Sequence, residues 1–423
     1  MAAAPAPTVR PVILGGDIGA YATARTFHEA YGVRSVVLAG VSTWQVARSV
    51  AVDHRVVPSL SRPDRLVATL REVVAERPEV THLLLASADW YVDALVAHRA
   101  ELEAMPGRVV VPYAGAEALD RIGDKGSFTA LCRELGLPVP ETVVVRAPDG
   151  PAAAAGLRFP VVVKASSTTA YHAVSFPGQQ KVDRATDPTA LATVLARIAG
   201  AGFDGDLLVQ EEIPGPDSEM AAVNLFFDAD GTWRFAQYGR VLLEEHTPGA
   251  LGNSVAQVTG VHRGVVDQAR RLLEHVGWRG FANVDLKRDP RDGVHRFLEV
   301  NPRVGRSGYA VTASGYDISR MYVDGFVTQT GGSAQVAGAG TGDGVVGTNE
   351  HLFHVLPLPL VRRYVDDADA ALVRRLVRSG RATNPLLYLA ERDPRRWAAV
   401  AAAQLNQVRK FARYHPKQRP RAT

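Results

Sequence analysis

Apolar and polar positions follow two alternating rhythms over the first 115 residues. Short apolar runs, Val12-Ile13-Leu14, Ser35-Val36-Val37-Leu38, His82-Leu83-Leu84-Leu85 and Val109-Val110-Val111, are separated by stretches with helical spacing at 20–31 and 66–76. Runs that are apolar throughout predict strands buried on both faces, so this rhythm predicts a parallel sheet covered by helices. Later apolar runs at 161–164, 207–213, 221–227 and 233–245 predict further strands. Between 261 and 276, Val265, Val266, Ala269, Leu272, Leu273 and Val276 fall on one side of a helix. Glycine-rich residues 331–347 predict a domain boundary or mobile loop, and the pattern beyond them is mostly helical. There, 365–380 begins with acids and ends with arginines, as a helix dipole favours. Trp397, Val400, Gln404, Val408 and Phe411 form a stripe that predicts a docking face. The expected organisation is α/β and α+β: an α/β domain at 1–115, a second domain at 116–330, the 331–347 linker or loop, and a mostly helical region at 348–423.

Residues 284–303, VDLKRDPRDGVHRFLEVNPR, have the form of a β-hairpin. Asp289-Pro290-Arg291-Asp292-Gly293 supplies the turn, because Pro presets φ and Gly accepts positive φ. Side chains alternate faces along a strand, so Glu299 and Asn301 point the same way, with Asp285 on the partner strand. Three oxygen donors on a rigid hairpin suit Mg²⁺, which takes hard ligands and shares them with nucleotide phosphates. Any one of these residues taken alone also reads as an ordinary solvated surface group.

A chain of 423 residues accommodates two or three domains. Its net charge of +4 is too small for a nucleic-acid binder of this size, and the basic excess is local, in the acid-free tail from Arg409. The single cysteine, Cys132, excludes an internal disulfide and reads as a small core residue in a helix. No window has the length of a membrane span and the N-terminal stretch has no long apolar core, so a cytoplasmic location is expected. The turn Gly15-Gly16-Asp17-Ile18-Gly19 is not G-x-G-x-x-G, and no acid closes the second strand, which argues against a dinucleotide site. It still offers backbone N–H groups to an anion. Lys164 closes an apolar strand and enters the hydroxyl-rich loop Ser166-Ser167-Thr168-Thr169, a point charge suited to phosphate. Lys125, at a helix start, and Lys181, at a strand start, are further candidate cations that also read as solvated lysines.

The ordered set Asp124-Lys125, FPVVVKAS, QEEIPG, Asp285, Glu299-x-Asn301 and Arg303 resembles the ATP-grasp superfamily of carboxylate–amine ligases across 11–330. The opening GGDIGAYATARTFHEAYG, the KRDPRDG hairpin and KASSTTAYHAVSFPGQQKV are similar to its D-aspartate-ligase-like branch. The resemblance implies an ATP-grasp fold, a parallel α/β domain followed at 116–330 by a two-lobed domain with its small lobe at about 139–213, with ATP as phosphoryl donor and two Mg²⁺ ions (Mn²⁺ as the alternative). Asp285, Glu299 and Asn301 would be the metal ligands, and Lys125, Lys164 and Lys181 the phosphate contacts. Gln210, Glu211 and Ile213 would meet the adenine, and Asp217 the ribose, with Glu219 as runner-up. Arg240 and Arg303 would steady the transferred group. Where many relatives carry glycines after the Lys164 strand, this chain has Ser and Thr, which implies a stiffer loop. The implied reaction forms an acyl phosphate on a carboxylate such as that of D-aspartate, and an amine then displaces phosphate. Small carboxylates and amines are the implied partners, among them a peptidoglycan precursor or a natural-product intermediate, with a homodimer as one admissible assembly. The rival readings are an NAD(P)-dependent oxidoreductase built on the first domain and a non-catalytic nucleotide-binding protein.

Overall fold

Strands β1 (Val9–Leu14), β2 (Ser35–Ala39), β3 (Val52–Val56), β4 (Thr81–Ala86) and β5 (Arg108–Val110) pair in parallel in the order β3-β2-β1-β4-β5. The computed structural model in which they are seen describes residues 8–166, 171, 174–180, 182–247, 250–328 and 344–416. Val12, Leu14, Val37, Leu83 and Leu84 are fully buried, as apolar central strands covered on both faces must be. The sequence pattern missed β3, whose Asp53, His54 and Arg55 are tolerated because it is an edge strand. It also missed the helices Asp89–Ala97 and Arg99–Glu103. Helix Ile18–Tyr31 starts at Asp17, whose carboxylate accepts from the Ala20 N–H at 2.9 Å, and stops at Gly32 in the left-handed conformation.

The chain divides into two compact units: Met1–Ala116, Met220–Asn283 and Asn301–Thr423 form one, and Glu117–Glu219 with Val284–Val300 form the other. The consecutive division expected from the sequence matches this only at its first boundary. In the second unit, β6 (Thr142–Arg146), β7 (Val161–Ala165), β8 (Asp183–Ala185) and β9 (Asp206–Glu211) form an antiparallel sheet in the order β6-β9-β7-β8. Val161, Val163, Leu207 and Val209 join Leu191, Leu195 and Ile198 of helix Pro188–Gly200 in its core. Strand alternation therefore puts Val162, Lys164, Leu208 and Gln210 on the opposite face.

In the first unit, β10 (Met220–Phe227), β11 (Trp233–Glu244) and β12 (Ser254–Gly260) run antiparallel. The hairpin is made by neighbouring strands β13 (Gly280–Arg288) and β14 (His295–Asn301), whose residues 284–300 belong to the second unit. The C-terminal region contributes strands of its own: β15 (Val345–Val346) lies along β11, β16 (Leu352–His354) along β12, and β17 (Ala382–Thr383) along β16. One continuous core contains Ile13, Val37, Phe226, Leu243, Phe353, Val400 and Phe411, which is why residues from both ends of the chain belong to one unit.

Two local expectations need correction. The helix expected to run through Arg320 breaks into Tyr309–Ala313 and Ile318–Tyr322, because Gly315 at φ 101° ends the first. Asp317 then caps the second, accepting from the Ser319 and Arg320 N–H groups at 2.9 and 3.1 Å. In helix Pro394–Tyr414, Val408 is 42% exposed and lies off the docking face, which instead buries Arg396, Val400 and Phe411. Cys132 is buried in the core as expected, and burial pushes its thiol up to about 12. Lys181, Ser167, Thr168, Thr169, Gly249, residues 331–343 and the tail from 417 lie outside the described residues. Among the described residues no helix is long and apolar enough to cross a membrane.

Candidate active site

The hairpin is held at its turn by a buried carboxylate. Asp289 is fully buried and accepts from the Arg291 N–H at 3.0 Å and the Arg291 Nε at 2.8 Å, while Arg296 Nη1 approaches at 3.0 Å. The Arg291 guanidinium holds the Asp289 carboxyl below the usual carboxylate range. The Asp289 N–H donates to the Val294 carbonyl at 2.8 Å, and the Gly293 N–H donates to the Asp289 carbonyl at 2.7 Å, with Gly293 at φ 75°. These contacts fix the directions in which the strands bearing Asp285 and Glu299 leave the turn. Both residues are half-buried. Among the described residues no hydrogen bond or ion pair engages the Glu299 carboxylate.

The turn carries a pH dependence. Arg296 and the Val294 N–H bring the Asp292 carboxyl down from 3.8 to about 2. A depressed folded value means that the stabilisation is complete above the unfolded value and is lost as pH falls. Hairpin protection from amide exchange is therefore expected to decline between about pH 4 and pH 2, and Asp292→Asn should remove that part of the decline. Asp292 is exposed, so the effect is small.

The strand that bears Asp285 also anchors the segment that bears Asp217. Lys287 Nζ donates to the Gly215 carbonyl at 3.3 Å, and the Arg288 guanidinium grips Glu219 with Nε at 2.7 Å and Nη2 at 2.9 Å. Gly215 adopts φ 104°, and a Cβ there would sit 2.7 Å from the Glu219 Cγ, so glycine lets the acid fold back towards Arg288. Asp217 opens the short 3₁₀ turn Asp217–Glu219 between these two anchors.

Lys164 Nζ lies 3.4 Å from the Gln210 carbonyl oxygen, and the Gln210 amide donates to Thr142 Oγ1 at 2.9 Å. This buried relay orients the lysine across β7 and β9. Helix Lys125–Glu134 is capped by Asp124, which accepts from the Ser127 N–H at 2.8 Å and from the Ser166 hydroxyl. Burial alone would push the Asp124 carboxyl up, but these hydrogen bonds outweigh it and hold it below its ordinary value. Lys125 and Lys164 are thus tied to each other through Asp124 and Ser166. Glu211 accepts from the Arg158 N–H at 2.9 Å, Arg291 lies 4.0 Å from its other oxygen, and Ile213 is buried.

In the first unit, Arg303 pairs with Asp89 at 2.7 Å, and its Nη2 lies 3.4 Å from the Asn301 side-chain oxygen. The Asn301 amide donates to the Asn283 carbonyl at 3.5 Å. Arg240, inside β11, is gripped by both oxygens of Asp369 from helix Asp367–Arg378, which raises its pKa. Sequence reasoning missed Asp89, Thr142, Arg288 and Asp369, which act across long sequence separations. Asp124 is signalled by its place before a helix-starting Lys-Gly-Ser, and Ser166 by the hydroxyl-rich loop after Lys164.

The sequence model of the carbamoyl-phosphate synthase L chain ATP-binding domain matches residues 258–324, the stretch that contains Asp285, Glu299, Asn301 and Arg303. Over 421 residues the chain is 29% identical to a D-aspartate ligase of Enterococcus faecium, covering 96% of each. In sequence the chain is similar to carboxylate–amine ligases of the ATP-grasp superfamily. A D-alanine–D-alanine ligase of Chromohalobacter salexigens is 27% identical over 48% of this chain and 62% of its own length. Among solved structures, the L-amino acid ligase from Bacillus licheniformis superposes with a TM-score of 0.55 at 13% identity, covering 78% of this chain and 77% of that one. Biotin carboxylase from Campylobacter jejuni superposes with a TM-score of 0.53 at 14% identity, covering 74% and 70%. At such identities these likenesses bear on the ATP-grasp fold alone.

Proposed function

We propose that this ATP-grasp chain phosphorylates a carboxylate of an amino acid such as D-aspartate and joins it to an amine, with an acyl phosphate as intermediate. The observation that carries this reading is the hairpin: an unengaged Glu299 carboxylate on the strand that ends in Asn301, opposite the strand of Asp285. The donor set is all oxygen, two carboxylates and one amide, which fits Mg²⁺ and does not fit a softer metal. Mg²⁺ held there would neutralise charge on the phosphates of ATP and on the group being transferred.

The protein's own part is alignment. Lys164, steadied by Gln210, and Lys125, at the capped helix start, are assigned to the phosphates. Gln210, Glu211 and Ile213 line the adenine end. Asp217 is preferred to Glu219 for the ribose, because the Glu219 carboxylate is committed to Arg288. Arg303, beside Asn301, is assigned to the carboxylate under attack, its pairing with Asp89 fixing its direction. Arg240 is assigned to the terminal phosphoryl group, and its grip on Asp369 would have to loosen or share. Lys181 keeps its assignment to the phosphates on the resemblance alone.

The test is release of ADP across a matrix of D- and L-amino acids and amines, with mass spectrometry of the product. An amide product together with ADP, dependent on both partners, is expected. ATP binding without ADP release from any combination would return the chain to the non-catalytic reading, and NAD(P) turnover would favour the oxidoreductase. If the ribose assignment holds, Asp217→Ala raises the KM for ATP about tenfold with little change in kcat.

A further inference from the structure

Helix Pro394–Tyr414 turns Arg396, Val400 and Phe411 inwards, and the opposite side carries no acid. No Asp or Glu occurs from Pro394 to Thr423, a stretch that holds Arg395, Arg409, Lys410 and Arg413 and, in the tail, Lys417, Arg419 and Arg421. The outward side is also apolar. Ala398, Ala401, Leu405, Val408 and Ala412 recur three and four residues apart and are all exposed, Leu405 to 59%. Arg409 and Arg413 follow Val408 and Ala412 directly and so border this row.

Tertiary packing adds cations to the same end. The Tyr364 ring lies 5.2 Å from that of Phe411 and 5.3 Å from that of His415. These contacts bring the last turn of helix Leu358–Tyr364, with exposed Arg362 and Arg363, beside the last turn of the longer helix. Among the described residues Arg362, Arg363, Arg409 and Arg413 pair with no carboxylate. The acids close to them in the fold are occupied elsewhere. Glu245 is 2% exposed and meets Lys410 at 3.9 Å, and Asp366 caps the next helix, accepting from the Asp369 N–H at 2.7 Å.

An apolar row edged by unpaired arginines discriminates among occupants. A second copy of the chain would set arginine against arginine. A nucleic acid would reward the arginines and gain nothing from Leu405 and Val408. A bilayer with anionic headgroups satisfies both, because lipid phosphates pair with guanidinium groups while the apolar row enters the headgroup–acyl boundary. Tyr414, partly exposed at the end of the helix, has the amphipathic ring that sits at headgroup level.

We infer that the outward face of helix Pro394–Tyr414, with Arg362 and Arg363, docks the protein on an anionic phospholipid surface, the helix lying in the plane of the interface. The inference is independent of the ligase reading.

The experiment is co-sedimentation of the full chain with vesicles of phosphatidylcholine alone or with about one-third phosphatidylglycerol, at about 0.1 M and about 0.5 M NaCl. Binding to the anionic vesicles alone is expected, weaker at the higher salt because the screening length shortens. Arg409→Gln/Arg413→Gln should lower the partition coefficient roughly 25-fold, since each cation near an anionic surface is worth roughly fivefold. Leu405→Asp should lower it about tenfold, by setting a negative charge in the apolar row. These side chains are exposed, so thermal melts of the variants should match wild type. A chain ending at Pro416 should bind more weakly and keep its selectivity for anionic vesicles. No binding to anionic vesicles, or wild-type binding by both helix variants, overturns the inference. So does binding that only the truncation abolishes, which would assign the lipid contact to the tail. Binding to a DNA duplex that Leu405→Asp leaves intact, at an affinity above that for vesicles, overturns it in favour of nucleic acid. A dimer in sedimentation velocity that Leu405→Asp dissolves overturns it in favour of a second copy.

Discussion

Glu299→Ala is expected to lower the rate of ADP release by on the order of 10³-fold, with the melting temperature unchanged. The size follows from the demand made on this residue. Phosphoryl transfer to a carboxylate brings two anions together, and the protein contributes mainly fixed charge and alignment. On the proposed assignment Glu299 shares a cation between its own strand and that of Asp285, so alanine would remove charge where repulsion peaks. The unchanged stability follows from its surroundings, since no described group is left without a partner when the carboxylate goes. Glu299→Gln separates charge from shape: it keeps the volume and one oxygen donor, and should recover little of the rate. The measurement is coupled ADP release beside a thermal melt of each variant. A Glu299→Ala enzyme with full ADP-forming activity on its true substrates would end the ligase proposal.

The largest effect on stability is expected far from the hairpin, at Glu391. Its side chain and that of Arg396 are each 1% exposed and pair at 2.9 Å. Glu391 also accepts from Tyr21 Oη at 3.1 Å, Ser49 Oγ at 2.6 Å and the Val50 N–H at 2.9 Å. Arg396 in turn donates to the Gln45 and Ala47 carbonyls at 3.0 and 3.2 Å and lies 4.3 Å from the centre of the Tyr21 ring. Glu391→Ala removes one partner and leaves a buried guanidinium uncompensated, a change that costs about 3–5 kcal/mol. Replacing both charges by apolar residues of similar volume should cost much less, because the desolvation penalty goes with the pair. Denaturant melts of Glu391→Ala and of a Glu391→Leu/Arg396→Met double variant check this. Equal losses in the two would show that packing, and not the buried charge, sets the stability. Arg25 adds a second tie between the same regions, lying 4.6 and 4.5 Å from the Tyr309 and Tyr388 rings while donating to the Pro385 carbonyl at 2.7 Å.

These two sites differ in how far the sequence discloses them. The hairpin is legible because its signals are local: alternation with a period of two on each side of a Pro- and Gly-bearing turn, closing on Glu299-x-Asn301. Lys164 is legible because a charged residue at the end of an apolar strand has to leave the core, and the structure puts it on the face away from Val161 and Val163. The Glu391–Arg396 pair is illegible because two charged residues five apart in a polar stretch look solvated until tertiary packing encloses them. The same holds for Asp369, which reads as an ordinary acid in a helix's first turn and proves to be the partner of Arg240.

The sequence by itself determined most of the elements, the parallel first sheet, the order of the ATP-grasp motifs and the oxygen-donor hairpin, since each is written in neighbouring residues through periodicity, turn chemistry or spacing. Only the tertiary structure decided that the C-terminal region shares a core with the first strands, that Glu219 belongs to Arg288, and that Asp369 grips Arg240. Those outcomes depend on which distant segments come together to bury apolar surface, and a side chain's partners follow from that burial and not from its neighbours in the chain.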